Sequence, residues 1–171
     1  ERQRQQIGRV VGAELELVNP EAPVAPGDRL LLHGGDHGDC TLMDAHNPDF
    51  LIIEAAPGET PVLQRLELIG VERCLVSGVT IRGEKSDDLG GTLLAITSHG
   101  WRGPCRYVSV RDCTLESAAS IDGWTDADWN TRAATAVSAS GDFLALQRTT
   151  ARNVNHGLMM SGRFIWVGDC E

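Results

Sequence analysis

Apolar residues recur in two columns along this chain, and this recurrence constrains the fold more than any other feature of the sequence. One apolar position repeats at Leu32, Ile53, Val76, Val110, Leu146 and Val167. Two residues earlier, a second column contains Leu30, Leu51, Cys74, Val108, Leu144 and Ile165. Every position in both columns is apolar, although only 42% of the chain is hydrophobic. Repetition at intervals of roughly 20 residues, with two intervals lengthened by inserted loops, predicts a solenoid.

Apolar and polar residues alternate around each column, and a period of two indicates strands rather than helices. A third column follows a two-residue corner and contains Val79, Cys113, Thr149 and Cys170. A strand that precedes the first two columns is predicted from the pairs Leu66 and Leu68, Leu94 and Ile96, Val137 and Ala139, and Leu158 and Met160. Each rung therefore carries three short strands, which we expect to pair in parallel with neighbouring rungs around one shared interior.

Three segments near the start of the repeat have corners marked by glycine and proline. They are residues 26–35 (PGDRLLLHGG), 55–63 (AAPGETPVL) and 76–83 (VSGVTIRG). These segments resemble the opening rungs of right-handed parallel β-helix proteins of the pectate-lyase-like superfamily. The resemblance implies an all-β, right-handed parallel β-helix of about six rungs over residues 26–171. Because that fold hosts lyases, hydrolases, epimerases, phage tailspikes and adhesins, the resemblance implies a fold rather than one activity.

The two ends of the chain depart from the repeat. Residues 1–25 are predicted to form a capping segment, with a strand from Ile7 to Val18 that ends at the Asn19–Pro23 stretch. The last residues, 169–171, fall in the middle of a rung, where a solenoid would leave strand edges unpaired. We therefore expect an incomplete domain with further rungs after residue 171.

Charge and hydropathy restrict the partners. The chain has 15 basic and 24 acidic residues, a net charge of −9, and no basic stripe that would neutralise phosphates, so a nucleic-acid partner is not expected. No apolar run reaches the roughly 18 residues of a membrane span. The polar first residues lack the apolar stretch of a signal peptide, so none is expected within this sequence. The compartment stays open, with an extracellular or virion-associated location favoured over the cytoplasm.

The five cysteines show no metal-ligand spacing. In the predicted register Cys74, Cys113 and Cys170 point inward, and Cys113 and Cys170 lie about two strand spacings apart, which is too far for a disulfide. These three are expected to act as small hydrophobic residues. Cys40 and Cys105 are predicted to lie in loops.

Two insertions that border the first-strand column carry tryptophans, which can stack on the apolar face of a pyranose ring. The predicted substrate-binding residues are Trp101, Trp124, Trp129, Asn130 and Arg132. Asp126 and Asp128 could act as acid and base in glycoside cleavage, where two carboxyl groups flank the scissile bond. The alternative is that the tryptophans pin the Ser117–Ala134 loop down and the aspartates cap turns.

The Arg152–His156 segment follows a third strand and lies next to the groove that the family resemblance implies. Uronan lyases of that superfamily abstract a proton with an arginine or lysine, and this makes Arg152 a candidate catalytic residue without a matching motif. His156 is the best-placed candidate for a general base or acid. The alternative is an exposed loop histidine with no role.

Two clusters could hold a metal. Glu84, Asp87 and Asp88 offer the hard oxygen ligands that calcium accepts on a flexible loop, and a solvated acidic loop is the alternative. The His33–Asp39 segment contains imidazoles and carboxylates that suit zinc or manganese, but its glycines are also typical of a tight corner.

The leading hypothesis is a carbohydrate-active protein that binds an extended polysaccharide along the first-strand face and cleaves it as a lyase or a glycoside hydrolase. The competing hypothesis is a structural or adhesive solenoid, such as a phage tailspike or virion component. In that case the outward apolar positions from Leu31 to Trp166 would form a homotrimer interface.

Overall fold

The computed structural model describes residues 27–85 and 91–171, together with the backbone of residues 6–7 and 15–16. The structure is all-β, and its described part contains one short helix, α1 (Asp126–Arg132). The strands are β1 (Gln6–Ile7), β2 (Leu15–Glu16), β3 (Arg29–Leu32), β4 (Gly35–Asp36), β5 (Asp39–Met43), β6 (His46–Ala55), β7 (Pro61–Leu63), β8 (Arg65–Ile69), β9 (Glu72–Ser77), β10 (Thr80–Arg82), β11 (Thr92–Thr97), β12 (Arg106–Arg111), β13 (Thr114–Glu116), β14 (Thr135–Gln147), β15 (Thr150–Arg152), β16 (His156–Arg163) and β17 (Trp166–Gly168). Within the described ranges, no helix is long and apolar enough to cross a bilayer.

The strands form three columns in which neighbouring strands are parallel. Column A contains β2, β5, β8, β11, the first half of β14 and β16. Column B contains β1, β3, β6, β9, β12, the second half of β14 and β17. Column C contains β4, β7, β10, β13 and β15. Because β14 belongs to both A and B, these two columns form one curled sheet, and column C forms a second.

The core follows the predicted apolar columns as far as β14, whereas Leu158 of β16 and Val167 of β17, which were predicted to point inward, are 41% and 43% exposed. Ile53 pairs with Val76, Val76 pairs with Val110, and all three side chains are fully buried. In column A, Leu94 lies between Leu66 and Val137 as predicted. Burying an aliphatic side chain contributes about 1.5–3 kcal/mol, so these columns supply much of the stability of the sheets.

The predicted register of the first rung is wrong by two residues. Strand β3 pairs Leu30 with Ile53 and Leu32 with Ala55, whereas the sequence alignment placed Leu32 beside Ile53. Leu30 and Leu32 remain buried, because a shift of two residues keeps each side chain on the same face of the sheet.

The segment predicted as a polar corner, residues 33–39, contains a strand. Its residues Gly35–Asp36 form β4 and begin column C. Directly afterwards, Cys40 lies in β5 beside Leu66 and is buried, so its predicted loop position is wrong. Cys105 does precede a strand, and it too is buried. All five cysteines are free thiols.

At the N-terminus, most of the predicted capping strand Ile7–Val18 lies outside the described residues. The backbone that is described forms two short strands rather than one. Strand β1 extends column B beside β3, and β2 extends column A beside β5. Both therefore continue the parallel pairing by one further strand.

Candidate functional site

A shallow groove of 440 Å³ lies on the outer face of column A. It is lined by Thr97, Ser138, Ser140, Met159 and Ser161, together with the backbone between them. In β14, Val137 and Ala139 point into the core, so the intervening Ser138 and Ser140 point outward. The groove therefore offers hydroxyl groups and one exposed methionine side chain along three neighbouring strands.

A hairpin that carries Trp101 follows β11, whose last residue, Thr97, lines the groove. His99 and Gly103 form an antiparallel bridge with backbone hydrogen bonds of 2.8 and 2.9 Å. Trp101 is 74% exposed, and the Arg102 guanidinium carbon lies 4.1 Å from its ring centroid. The His99 ring lies perpendicular to the Trp101 ring, with 5.0 Å between their centroids. Most of the indole surface is thus open to a ligand, while one side is stabilised by a cation.

The hairpin is fastened to the body at its base and at its tip. At the base, Ser98 donates its backbone N–H to the Ser140 carbonyl (3.2 Å), beside the groove. At the tip, Arg102 pairs with Asp44 at 2.6 Å, and the Arg102 carbonyl approaches the Cα of Gly70 so closely that a Cβ would collide with it. The hairpin therefore leans over the ends of β8 and β5.

The tryptophans of the second insertion pack within the insertion. Trp124 and Trp129 meet edge to face at 5.8 Å, and the Arg132 guanidinium carbon lies 4.5 Å from the Trp124 centroid. Arg132 also donates to both carboxylate oxygens of Glu84, at 2.7 and 2.5 Å, which lowers the pKa of Glu84. These contacts hold the insertion to the neighbouring loop and leave both rings half-buried, less open than Trp101.

Two of the predicted residues on α1 form contacts within the helix. Asp128 accepts hydrogen bonds from the hydroxyl and the backbone N–H of Thr125, and both lower the pKa of Asp128. The Asp128 backbone N–H in turn donates to the Thr125 hydroxyl oxygen, which completes a capping box. Asn130 donates to the carbonyl of Asp126 at 2.9 Å. The Asp126 carboxylate is exposed in the first turn of the helix. Of the predicted acid and base pair, Asp126 is therefore the carboxylate left open to solvent.

Arg152 and His156 lie on either side of the loop between columns C and A. Arg152 ends β15 and donates Nε to Glu116 at 2.5 Å, and Arg82 does the same from the other side of this fully buried carboxylate. His156 begins β16, is exposed, and has Nδ1 at 3.1 Å from the Asn155 amide oxygen. Arg152 therefore neutralises a buried acid, while Nε2 of His156 carries no hydrogen bond to the described residues.

Of the predicted calcium ligands, Glu84 is the one that lies within the described part of the chain. Both oxygens of Glu84 are bound by Arg132, and Asp87 and Asp88 lie outside the described residues. In the other predicted metal cluster, His33 binds the Glu59 carboxylate at 2.7 Å, and His37 binds the backbone oxygen of His33 at 2.7 Å. Within the described ranges, no three His, Cys, Asp or Glu side chains converge on a metal position.

Three residues that support Trp101 escaped the sequence analysis. Asp44, His46 and Glu72 lie on earlier rungs and contact the hairpin or its immediate support. The sequence does not reveal these contacts, because they depend on how far the inserted hairpin extends along column A toward the earlier rungs. The Trp-Arg pair inside an insertion is the one local signal of this site.

No family model matches the chain, and no curated protein or solved structure resembles it significantly.

Proposed function

We propose that this chain is a right-handed parallel β-helix of the pectate-lyase-like type. Three columns of parallel strands, visited in the order A, B, C in successive rungs, support this proposal. Crossovers between parallel strands are right-handed in nearly all proteins, which favours that hand here. A crystal structure with separate, unclosed sheets or a left-handed path would contradict it.

The function that the geometry supports best is binding of an extended polysaccharide along column A. The observation that carries it is Trp101, which is 74% exposed in the hairpin that follows β11, the strand whose Thr97 lines a groove together with serine hydroxyls. An open indole stacks on the apolar face of a sugar ring, and hydroxyls with a nearby ion pair exchange hydrogen bonds with the sugar. Column A is continuous over several strands, which suits a ligand longer than one sugar unit.

If the same face also cleaves the polysaccharide, Asp126 and His156 would be the acting residues. Among the predicted catalytic residues, these two form no ion pair with the described part of the chain. A carboxylate and an imidazole supply the proton transfers that either a lyase or a glycoside hydrolase needs. Asp128 and Arg152 would contribute by shaping the margin, since their side chains are bound to Thr125 and Glu116.

Affinity electrophoresis against polygalacturonate, xylan, dextran and chondroitin sulfate tests the binding function. We expect at least one polymer to retard the protein, and Trp101→Ala to lose most of that retardation. Trp166→Ala is the matched control, because Trp166 is 52% exposed but belongs to β17 of column B. Equal retardation of both variants, or no retardation of the parent by any polymer, would contradict the proposal.

A structural or adhesive role is the second candidate, and an exposed aromatic column supports it. Tyr107, Phe143 and Phe164 stack at 4.7 Å between successive centroids, and Phe164 is 70% exposed. Exposed apolar surface of this kind is typical of an interface. Light scattering should show a stable homotrimer if this role is correct, with Phe164→Ser shifting the mass toward the monomer. A monomer at high concentration would exclude it.

A further inference from the structure

The outward side chains of column A form two ranks that run across its strands. In the first rank, Glu67 of β8 pairs with Ala95 of β11, and Ala95 pairs with Ser138 of β14. The second rank lies two residues further along each strand and contains Ile69, Thr97, Ser140 and Ser161. The groove occupies the part of both ranks that β11, β14 and β16 contribute. A ligand that extends along the column from the groove toward β8 therefore meets Glu67.

The charge of this face is negative. The described residues that line the groove supply hydroxyl, methyl and thioether groups, which are all uncharged. Glu67 adds a carboxylate at the next outward position of the first rank, where its side chain is half-buried. The whole chain has a net charge of −9, so the surrounding surface does not offset this carboxylate.

The cations beside the two ranks are either paired with acids or buried. Arg163, at the end of β16, donates to both carboxylate oxygens of Asp142, at 3.3 and 2.6 Å. Arg102 in the Trp101 hairpin pairs with Asp44 at 2.6 Å. Arg65, at the start of β8, is 7% exposed, so a polymer on the outer face does not reach it. A uronate or a sulfate would have to compete with an acid of the protein for either exposed guanidinium.

We propose that this face binds a neutral polysaccharide in preference to a polyanionic one. The inference rests on the proposed function, because it names the charge class of the polymer that column A would bind. Serine and threonine hydroxyls both donate and accept hydrogen bonds, as the hydroxyls of a neutral sugar do. A polyanion would instead bring its negative groups close to Glu67, and like charges placed together at an interface repel.

Isothermal titration calorimetry with matched forms of one polymer tests the inference. The polymers are lightly carboxymethylated dextran, lightly carboxymethylated xylan and polygalacturonate, each as the free carboxylate and as the neutral methyl ester. Because both forms share one sugar backbone, the comparison reports the effect of charge. At about 10 mM salt we expect the ester to bind about three- to tenfold more tightly than the carboxylate. The difference should shrink at about 0.15 M salt, because salt screens the repulsion.

Glu67→Gln links the preference to this face, because it removes the charge and keeps the size of the side chain. It should strengthen binding of the carboxylate form and leave binding of the ester unchanged. Asp36→Asn is the matched control, since Asp36 is exposed on β4 of column C and its replacement changes the net charge equally. The control should leave the difference between the two forms intact.

The possible failures are distinguishable. A carboxylate form that binds as tightly as its ester would overturn the inference and leave the binding function in place. A preference that Asp36→Asn reduces as much as Glu67→Gln would do the same, because it would reflect the net charge of the protein instead of this face. If neither form of any polymer binds and none retards the protein in electrophoresis, the binding function itself fails, and the inference fails with it.

Discussion

Arg152 donates its Nε to the carboxylate of Glu116 at 2.5 Å, although Glu116 is fully buried and the Arg152 side chain is 57% exposed. Arg82 binds the other oxygen at 2.5 Å from the neighbouring strand of column C. The buried charge thus depends on two cations that reach in from the surface. The losses of stability caused by replacing Glu116 or its two arginines can therefore be ranked.

Glu116→Gln should destabilise the protein by about 1–3 kcal/mol, because the amide oxygen can accept from only one of the two arginines while the amide NH2 faces the other, but no buried negative charge remains. The double variant Arg82→Ala/Arg152→Ala leaves the carboxylate buried without compensation and should cost about 3–5 kcal/mol. Urea unfolding followed by circular dichroism measures both. A double variant that is more stable than Glu116→Gln would show that the carboxylate does not need its partners.

Burial should protect four of the five cysteines from thiol reagents. Desolvation raises the pKa of the Cys40 and Cys74 thiols to about 12 and that of Cys113 to about 11, and it raises that of Cys105 as well. Since the thiolate is the reactive form, these groups should stay inert in the native protein at about pH 8.

Ellman's reagent tests this expectation directly. Native protein should release colour only from the half-buried Cys170, and Cys170→Ser should abolish that signal. Addition of urea should then expose the four remaining thiols. Rapid reaction of several thiols in native Cys170→Ser would indicate that the interior is not packed as described.

Acid should weaken the fold through carboxylates that are paired with arginines. Arg148 lowers the pKa of Asp112, and Arg163 lowers that of Asp142, chiefly through side-chain hydrogen bonds. A carboxyl group whose pKa is lower in the folded than in the unfolded chain contributes its full stabilisation above the ordinary value, near about 4. That contribution is lost as the pH falls through the folded value.

The urea midpoint should therefore decline between about pH 5 and pH 2. Asp112→Asn provides the matched comparison, because it removes one titrating pair and should flatten the decline. Its stability at neutral pH should be slightly lower, since exposed pairs contribute little. A midpoint that rises on acidification would have the wrong sign for this mechanism.

Most of the parallel pairing could be predicted from the sequence, since apolar alternation identifies which side chains share the interior. Alternation cannot fix a register that slips by two residues, because such a slip leaves every side chain on the same face. The Leu30–Ile53 pairing shows this. Strand β5 was missed because only Cys40 and Leu42 point inward within a polar, glycine-flanked segment.

The candidate site was less predictable. The sequence indicates that both insertions carry tryptophans, but it does not indicate which ring remains open. Trp124 and Trp129 turn toward each other and toward Arg132, whereas Trp101 turns outward. The difference arises from contacts between rungs, such as that of Arg102 with Asp44, and the sequence pattern does not predict such contacts.

The absence of a side chain at Gly70 lets the Trp101 hairpin approach the backbone closely. Adding one methyl group at this position should therefore lower the stability of the protein. Gly70 has φ +61°, and a Cβ there would collide with the Arg102 carbonyl. Gly58 has φ +78° but no neighbouring atom within 4 Å of the same position, so it is a matched control for the cost of the left-handed backbone alone.

Gly58→Ala should destabilise the protein by about 1–2 kcal/mol through the backbone conformation. Gly70→Ala should cost about 1–3 kcal/mol more, because the carbonyl must move, and it should also displace the Trp101 hairpin. Urea unfolding measures the excess destabilisation. Fluorine NMR of protein labelled with 5-fluorotryptophan measures the displacement, since the Trp101 signal should shift in Gly70→Ala and stay unchanged in Gly58→Ala. If the two variants unfolded alike and left that signal in place, the hairpin would not rest on Gly70, and Trp101 would lack its support.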